Sequence, residues 1–404
     1  MSEPLVIIGN GMAAARFVDE LSKRALGRYA VAVIGEEARL AYNRILLSSV
    51  LAGEVAQSEI ELKPASWWRD RGVTLRYGVP ATAVDAAART VLLADGTKLP
   101  FAKLVFATGS RPLRLPIPGM ELEGVLTFRD AGDVGTITNN AGRGARVVVI
   151  GGGLLGLEAA YGLAKAGAQV TVMHLMDMLM ERQIDARAAA MLRYAVEAKN
   201  VRVLLKAETV RLVGDRRVEA VELKDGSTIK TDTVVVAVGI KPNTELARAA
   251  GIAVNRGIVI DDSLETSAAG IFAIGECAEH RGQCYGIVEP AYEQARVLAE
   301  RLAGRDVSYS GSVLSTNLKV SGVNVFSVGD FLGSSGTEEI VLADPSFGTY
   351  KKLVISDGRL VGAVLFGDTV DGLWYLDLIR TGVSIERFRD DLVFGRALIE
   401  RAAA

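Results

Sequence analysis

The sequence predicts an α/β chain built from two copies of one strand–glycine turn–helix unit, followed by a smaller C-terminal α+β domain. Three observations carry this reading. "LVIIG" at 5–9 and "ARVVVIG" at 145–151 are short apolar runs that end in glycine and lead into helical spacing. A β-rich cassette with a tight turn follows each copy. From about residue 311 the texture changes to short strands and turns, with one apolar segment, "GLWYLDLIRTG".

The elements follow in order. "LVIIG", "AAARFVDELSKRA" and "YAVAVIG" (29–35) form a βαβ unit. In "RTVLLADGTKLPFAKLVFATG" the "ADG" reads as a hairpin turn between alternating strands. "SRPLRLPIPG" (110–119) holds three prolines and reads as a crossover linker. The second unit runs from "ARVVVIG" through "LEAAYGLAKAG" to "QVTVMH" (169–174). "VELKDGSTIKTDTVVVAVG" (221–239) repeats the cassette, and "GIKPNTEL" reads as the return crossover.

Composition excludes several classes. The chain has 404 residues, enough for two or three domains, and half of it is hydrophobic. A formal net charge of −2 argues against a nucleic-acid partner, which would demand a basic patch. No apolar window is long enough for a membrane span. The N-terminus shows no secretory signal and enters directly into "PLVIIGNG". Two cysteines cannot make a disulfide framework, so the expected compartment is the reducing cytoplasm.

The chemistry sits in the glycine turns. "GNGMAA" places Gly9, Gly11 and Ala14 in a G-x-G-x-x-A pattern, with Met12 and Ala13 between them. The first glycine permits the tight turn, the second lets backbone approach a pyrophosphate, and the small third residue lets helix pack on strand. The helix start offers N–H groups and positive dipole to phosphates. Glu36 and Glu37 follow the second strand, where a carboxylate holds a ribose hydroxyl. "GGGLLG" repeats the pattern with Gly151, Gly153 and Gly156 around Leu154 and Leu155. Both units therefore read as Rossmann-like dinucleotide-binding domains; the competing reading of each is a turn that only packs its helix. After the second copy the expected acid is missing and His174 takes its place. That leaves the choice between NADH and NADPH open, as it leaves open a histidine with no ligand role. "GECAEHRGQC" (275–284) gathers Cys277, His280 and Cys284, but its spacing does not match paired zinc ligands, so no metal is expected. His280 and Cys284 are placed in the loop before the next helix.

This layout resembles the two-dinucleotide flavoprotein reductases of the pyridine nucleotide-disulfide oxidoreductase superfamily, with FAD on the first unit and NAD(P)H on the second. "ATGSRP" resembles their strand against FAD, with Ala107, Thr108, Gly109, Ser110 and Arg111. "GIFAIGECA" resembles their second FAD strand, with Gly275 at the close approach and Glu276 toward the ribityl chain. A closer resemblance lies in "AYNRILLSS" (41–49), "HLMDMLMERQID" (174–185), "LKVSGVNVFSVGD" (318–330) and "YKKLVISDGRLVGAVLFGD" (350–368). These are similar to the flavin module of assimilatory NAD(P)H nitrite reductase large subunits and, more distantly, to rubredoxin reductases.

The resemblance implies residues 1–112 and 241–310 as two segments of the FAD domain, 113–240 as the NAD(P) domain and 311–404 as the C-terminal domain. It implies Arg44 near the FAD phosphates, and Ser48, Ala81 and Gly239 among the dinucleotide contacts. Glu158 would sit near the nicotinamide amide; its plainer reading is an acid in a helix's first turn, favoured by the dipole. Ser49 stands where many relatives carry a lysine close to the flavin. Pro290, assigned to the first helical position, and Ala291 would point a helix start at the flavin ring. A flavin accepts a hydride and releases electrons singly, which implies a reductase for a one-electron acceptor. The chain ends at Ala404 without the cysteines of an iron–sulfur or siroheme domain, so the expectation is a separate acceptor protein of iron–sulfur, rubredoxin, siroheme or haem type. An NADH oxidase or disulfide-type reductase would need a redox cysteine, and "LAYNRILLSSVLAG" has none. A nucleotide-dependent scaffold or redox sensor stays open on the same fold.

Overall fold

The computed structural model describes residues 2–320 and 322–402; residues 1, 321, 403 and 404 and the side chains of 318–320, 401 and 402 lie outside that description, and with them part of the segment 318–330. The chain divides into two compact units.

The first unit comprises Met1–Leu47, Val55–Leu113 and Ile240–Ser312. Its centre is a five-stranded parallel sheet in the order Ile271–Ala273, Lys103–Phe106, Glu3–Ile8, Tyr29–Gly35, Thr74–Tyr77. Leu5, Ile7, Leu104 and Phe106 are fully buried, as expected of strands covered on both faces. The helix Met12–Arg24 follows the first strand and buries Ala14, Phe17, Val18 and Leu21, one stripe at helical spacing. Each large side chain of that stripe contributes about 1.5–3 kcal/mol by leaving water. Lys23 and Arg24 close the last turn, where cations suit the dipole. The helix Val288–Leu302 packs along it, and Arg24 bonds Glu20 on its own helix and Glu300 on the other. The "ADG" turn joins Thr90–Leu93 to Lys98–Pro100 in a three-stranded antiparallel sheet. The proline-rich crossover and the return crossover pair with each other: Ser110–Pro112 runs antiparallel to Ile240–Pro242.

The second unit comprises Ser48–Glu54, Arg114–Gly239 and Val313–Ala404. It repeats the parallel sheet, in the order Val201–Leu204, Gln169–Met173, Arg146–Ile150, Thr233–Val236, Val125–Thr127. The helix Leu154–Lys165 follows its first glycine turn, and Asp185 caps Ala186–Glu197 by accepting from the Ala188 amide at 3.0 Å. The C-terminal part is a five-stranded antiparallel sheet in the order Ser315–Val320, Val323–Gly329, Arg359–Phe366, Thr349–Ser356, Glu338–Asp344. The helix Gly372–Thr381 covers one face, burying Tyr375 and Leu376 against Phe326, Leu353 and Leu365. Gly382, in the left-handed conformation, ends that helix. Within this unit Tyr350 donates its hydroxyl to Asp185 at 2.5 Å. Among the described residues no helix is long and apolar enough to cross a membrane.

Candidate dinucleotide sites

Each unit carries a glycine turn at the C-terminal end of its first central strand. Gly9 has φ +119°, and a Cβ there would lie 2.0 Å from the Ala107 carbonyl oxygen. Gly151 is its counterpart, with φ +126° and a Cβ that would meet the Ala237 carbonyl at 2.2 Å. The protein itself demands these two glycines. The third positions are tight as well: Ala14 is fully buried, and a Cβ on Gly156 would meet the Gly151 carbonyl at 2.0 Å. The second glycines differ. A Cβ on Gly11 or Gly153 would meet no protein atom within 4 Å. Nothing in the protein requires glycine there, which fits a group from outside approaching the backbone.

The helix starts agree. Gly11 and Gly153 are the N-caps of their helices, with no side-chain cap and no acid in the first turn. The orphan N–H groups and the positive end of the dipole are thus left to an anion. Met12 and Ala13 open the first helix, as Leu154 and Leu155 open the second. Both turns therefore fit a pyrophosphate.

Around the first turn, distant segments converge. Gly275, with φ +80°, lies between two helix starts: a Cβ on it would be 3.0 Å from Ala13 Cβ and 3.8 Å from Ala291 Cβ. Its amide donates to Gln294 Oε1 at 2.7 Å. Glu276 accepts from the Ser110 hydroxyl at 2.7 Å. Asn243 ties the neighbouring strand end together. Its Nδ2 donates to the Thr108 carbonyl at 2.8 Å, its amide to the Gly109 carbonyl at 2.9 Å, and its Oδ1 accepts from Arg111 at 3.0 Å. Arg111 also pairs with Glu245 at 2.5 Å, which holds that carboxyl down at about 2. After the second strand, Glu37 takes the Tyr42 hydroxyl at 2.7 Å and an ion pair with Arg44, while Glu36 is exposed. Ala81 begins a strand of the small antiparallel sheet. Ser48 lies in the segment 48–54 of the second unit. Nothing local in the sequence marks the side chains of Asn243, within "GIKPNTEL", or Gln294.

Three sequence expectations need correction. The helix begins at Val288, so Pro290 is its third residue, not its first. The third N–H of a helix is also an orphan, so proline is equally tolerated there. Glu158 is the fifth residue of Leu154–Lys165, beyond the first turn, and the dipole does not account for it. It is half-buried, and burial alone pushes its carboxyl up to about 8. His280 ends the short strand Ala278–His280, which pairs with Ile258–Ile260, rather than lying in a loop. Its ring is buried, and Nε2 faces Asp262 Oδ1 at 2.8 Å. Cys277 is buried, its thiol directed at the Ile274 and Phe106 carbonyls at 3.3 and 3.6 Å; burial pushes it up. Both cysteines are free.

At the second turn, His174 follows the strand Gln169–Met173 and faces the turn itself. Its Nδ1 accepts from the Gly152 amide at 3.0 Å. Gly239, with φ +123°, follows the strand Thr233–Val236 of the same sheet.

Comparison with known proteins places these turns in context. Residues 3–297 match the family model "pyridine nucleotide-disulphide oxidoreductase", and 315–383 match "rubredoxin NAD+ reductase C-terminal domain". The chain is 45% identical to a Bacillus subtilis nitrite reductase [NAD(P)H], over 94% of this chain and 48% of that protein. It is 41% identical to the B. subtilis assimilatory nitrate reductase electron transfer subunit, over 98% of this chain and 51% of that one. It spans about half the length of these curated relatives. Among solved structures, the ferredoxin reductase for the CYP199A2 system of Rhodopseudomonas palustris superposes with a TM-score of 0.87 at 27% identity, covering 95% of this chain and 96% of that one. With two matching glycine turns and a family match over most of its length, the chain belongs to the pyridine nucleotide-disulphide oxidoreductase family, flavoproteins that work with FAD and NAD(P)H.

Proposed function

We propose that the first unit holds FAD, that the glycine turn of the second takes NAD(P)H, and that the protein passes electrons from NAD(P)H to a one-electron redox centre. The observation that carries this reading is the pair of glycine turns whose second glycine faces open space in each unit. A bound flavin would accept the hydride and release its electrons singly. The chain's own residues have the remaining roles. Gly9, Gly11 and the start of Met12–Arg24 receive the FAD pyrophosphate, and Glu36 the adenosine ribose. Ser110 orients Glu276 toward the ribityl chain. The start of Val288–Leu302, with Pro290 and Ala291, offers backbone N–H groups to the flavin ring. Glu158 contacts the nicotinamide end as a carboxyl largely protonated at neutral pH, able to donate a hydrogen bond to an amide oxygen.

The acceptor class follows the relatives: a nitrite reductase centre, a ferredoxin or a rubredoxin. A disulfide-type reductase is disfavoured by Cys277, whose buried thiol is engaged by backbone carbonyls. Two free cysteines suit a cytoplasmic location. The test is stopped-flow reduction of the yellow holoprotein with NADH and NADPH, followed by mixing with ferredoxin, rubredoxin and a siroheme nitrite reductase. Rapid bleaching of the flavin, then reoxidation by one of these proteins, is expected. A flavin that neither nucleotide reduces would overturn the proposal.

A further inference from the structure

We infer that Glu181, oriented by His174, supplies the carboxylate that the second unit lacks after its strand, and that it makes the protein select NADH over NADPH. The inference rests on the reading that the turn 151–156 takes the nicotinamide dinucleotide. In such units an acid at the end of the second strand holds the adenosine 2′-hydroxyl, and the same charge repels a 2′-phosphate. Here that position is His174, and the segment 174–185 loops back to restore the charge.

The loop is fastened to the glycine turn by a closed set of hydrogen bonds. The Met180 amide donates to the Gly152 carbonyl at 3.0 Å, and the Gly152 amide donates to His174 Nδ1 at 3.0 Å. An amide can only donate, so Nδ1 accepts and the ring proton sits on Nε2. Nε2–H then donates to Glu181 Oε2 at 3.0 Å. Leu179 and Met180 are fully buried, and Met180 takes a left-handed φ of +52° to make the turn. A Cβ on Gly152 would lie 2.7 Å from both His174 Cγ and Leu179 Cδ2, so ring and loop rest directly on the turn. Glu181 thus has one oxygen fixed by the histidine. Its other oxygen, Oε1, has Arg182 Nε at 4.0 Å, beyond hydrogen-bond range, and that arginine side chain is 86% exposed. Oε1 is the atom for the ribose hydroxyl. Lys206, whose amide donates to the Met176 carbonyl, has an exposed side chain. Neither cation displaces the carboxylate from the turn.

His174 is here a positioning residue and Glu181 the specificity determinant. The experiment is calorimetric titration of the flavin-loaded protein with NAD+ and NADP+, for wild type, Glu181→Gln, Glu181→Asp and His174→Ala. Wild type is expected to bind NAD+ at least about tenfold tighter than NADP+. Glu181→Gln is expected to shrink that ratio about tenfold, chiefly by tightening NADP+, while Glu181→Asp keeps the charge and the discrimination. His174→Ala should loosen NAD+ several-fold with flavin content unchanged. Wild type with no preference for NAD+, or a ratio unchanged in Glu181→Gln, overturns the inference while leaving the turn as a nucleotide site. Failure of every form to bind either nucleotide overturns both that assignment and the inference.

Discussion

Glu158 is a residue whose ionisation the fold strongly disturbs. Its carboxyl is pushed up to about 8 by burial, from an ordinary value of 4.5, so the folded protein favours the protonated form. A raised folded value means that stability falls as pH climbs through the window from 4.5 to about 8. Glu158→Gln mimics the protonated carboxyl without the titration. The variant's melting temperature should match wild type near pH 4, exceed it increasingly up to about pH 8 and hold that lead above it; a difference that stays constant from pH 4 to pH 8 would refute the shift. The cysteines make the opposite case. Cys277 sits in a buried backbone niche, and Cys284 Sγ lies 3.9 Å from Glu279 Oε2; both thiols are held up, Cys277 by burial and Cys284 by burial and the acidic neighbour. Replacing both by serine should leave flavin absorbance and NADH reduction unchanged. Loss of reduction with flavin still bound would restore a redox role for the cysteines.

At the scale of the element, the strand–turn–helix junction separates what the protein needs from what a ligand needs. Gly9→Ala imposes a Cβ on a left-handed residue, at about 1–2 kcal/mol from conformation alone, and drives it into the Ala107 carbonyl. That variant should lose both flavin and stability. In Gly11→Val the added Cβ meets no protein atom within 4 Å, and Gly11 has an ordinary extended φ of −102°. It should keep the apoprotein's melting temperature within a few degrees yet be purified with little flavin. Equal thermal loss in the two variants would mean that the second glycine is structural. The helices themselves were plain in the sequence, because an apolar stripe at 14, 17, 18 and 21 specifies a buried face locally. The exact start of Val288–Leu302 was not, since proline suits any of the first few helical positions.

Across the whole molecule, the proposed assignment of FAD to the first unit and NAD(P)H to the second makes the two sites separable by mutation. Gly153→Val, by the same logic as Gly11, should leave flavin bound in the first unit but abolish its reduction by NADH, while dithionite still bleaches it. Flavin lost from this variant would contradict the division. The sequence by itself determined the doubled α/β plan, both glycine turns, and the acids after the first copy. Each is written in a short window where period, glycine and strand propensity act on neighbouring residues. Only the tertiary structure decided which side chains meet. Ser110 reaches Glu276, Asn243 braces Thr108 and Arg111, Gly275 fits between Ala13 and Ala291, and Glu181 returns to His174. These contacts join segments that the chain brings together only when its sheets close and its loops turn back. No local pattern encodes them, and the carboxylate that the second copy seemed to lack is held by such a contact.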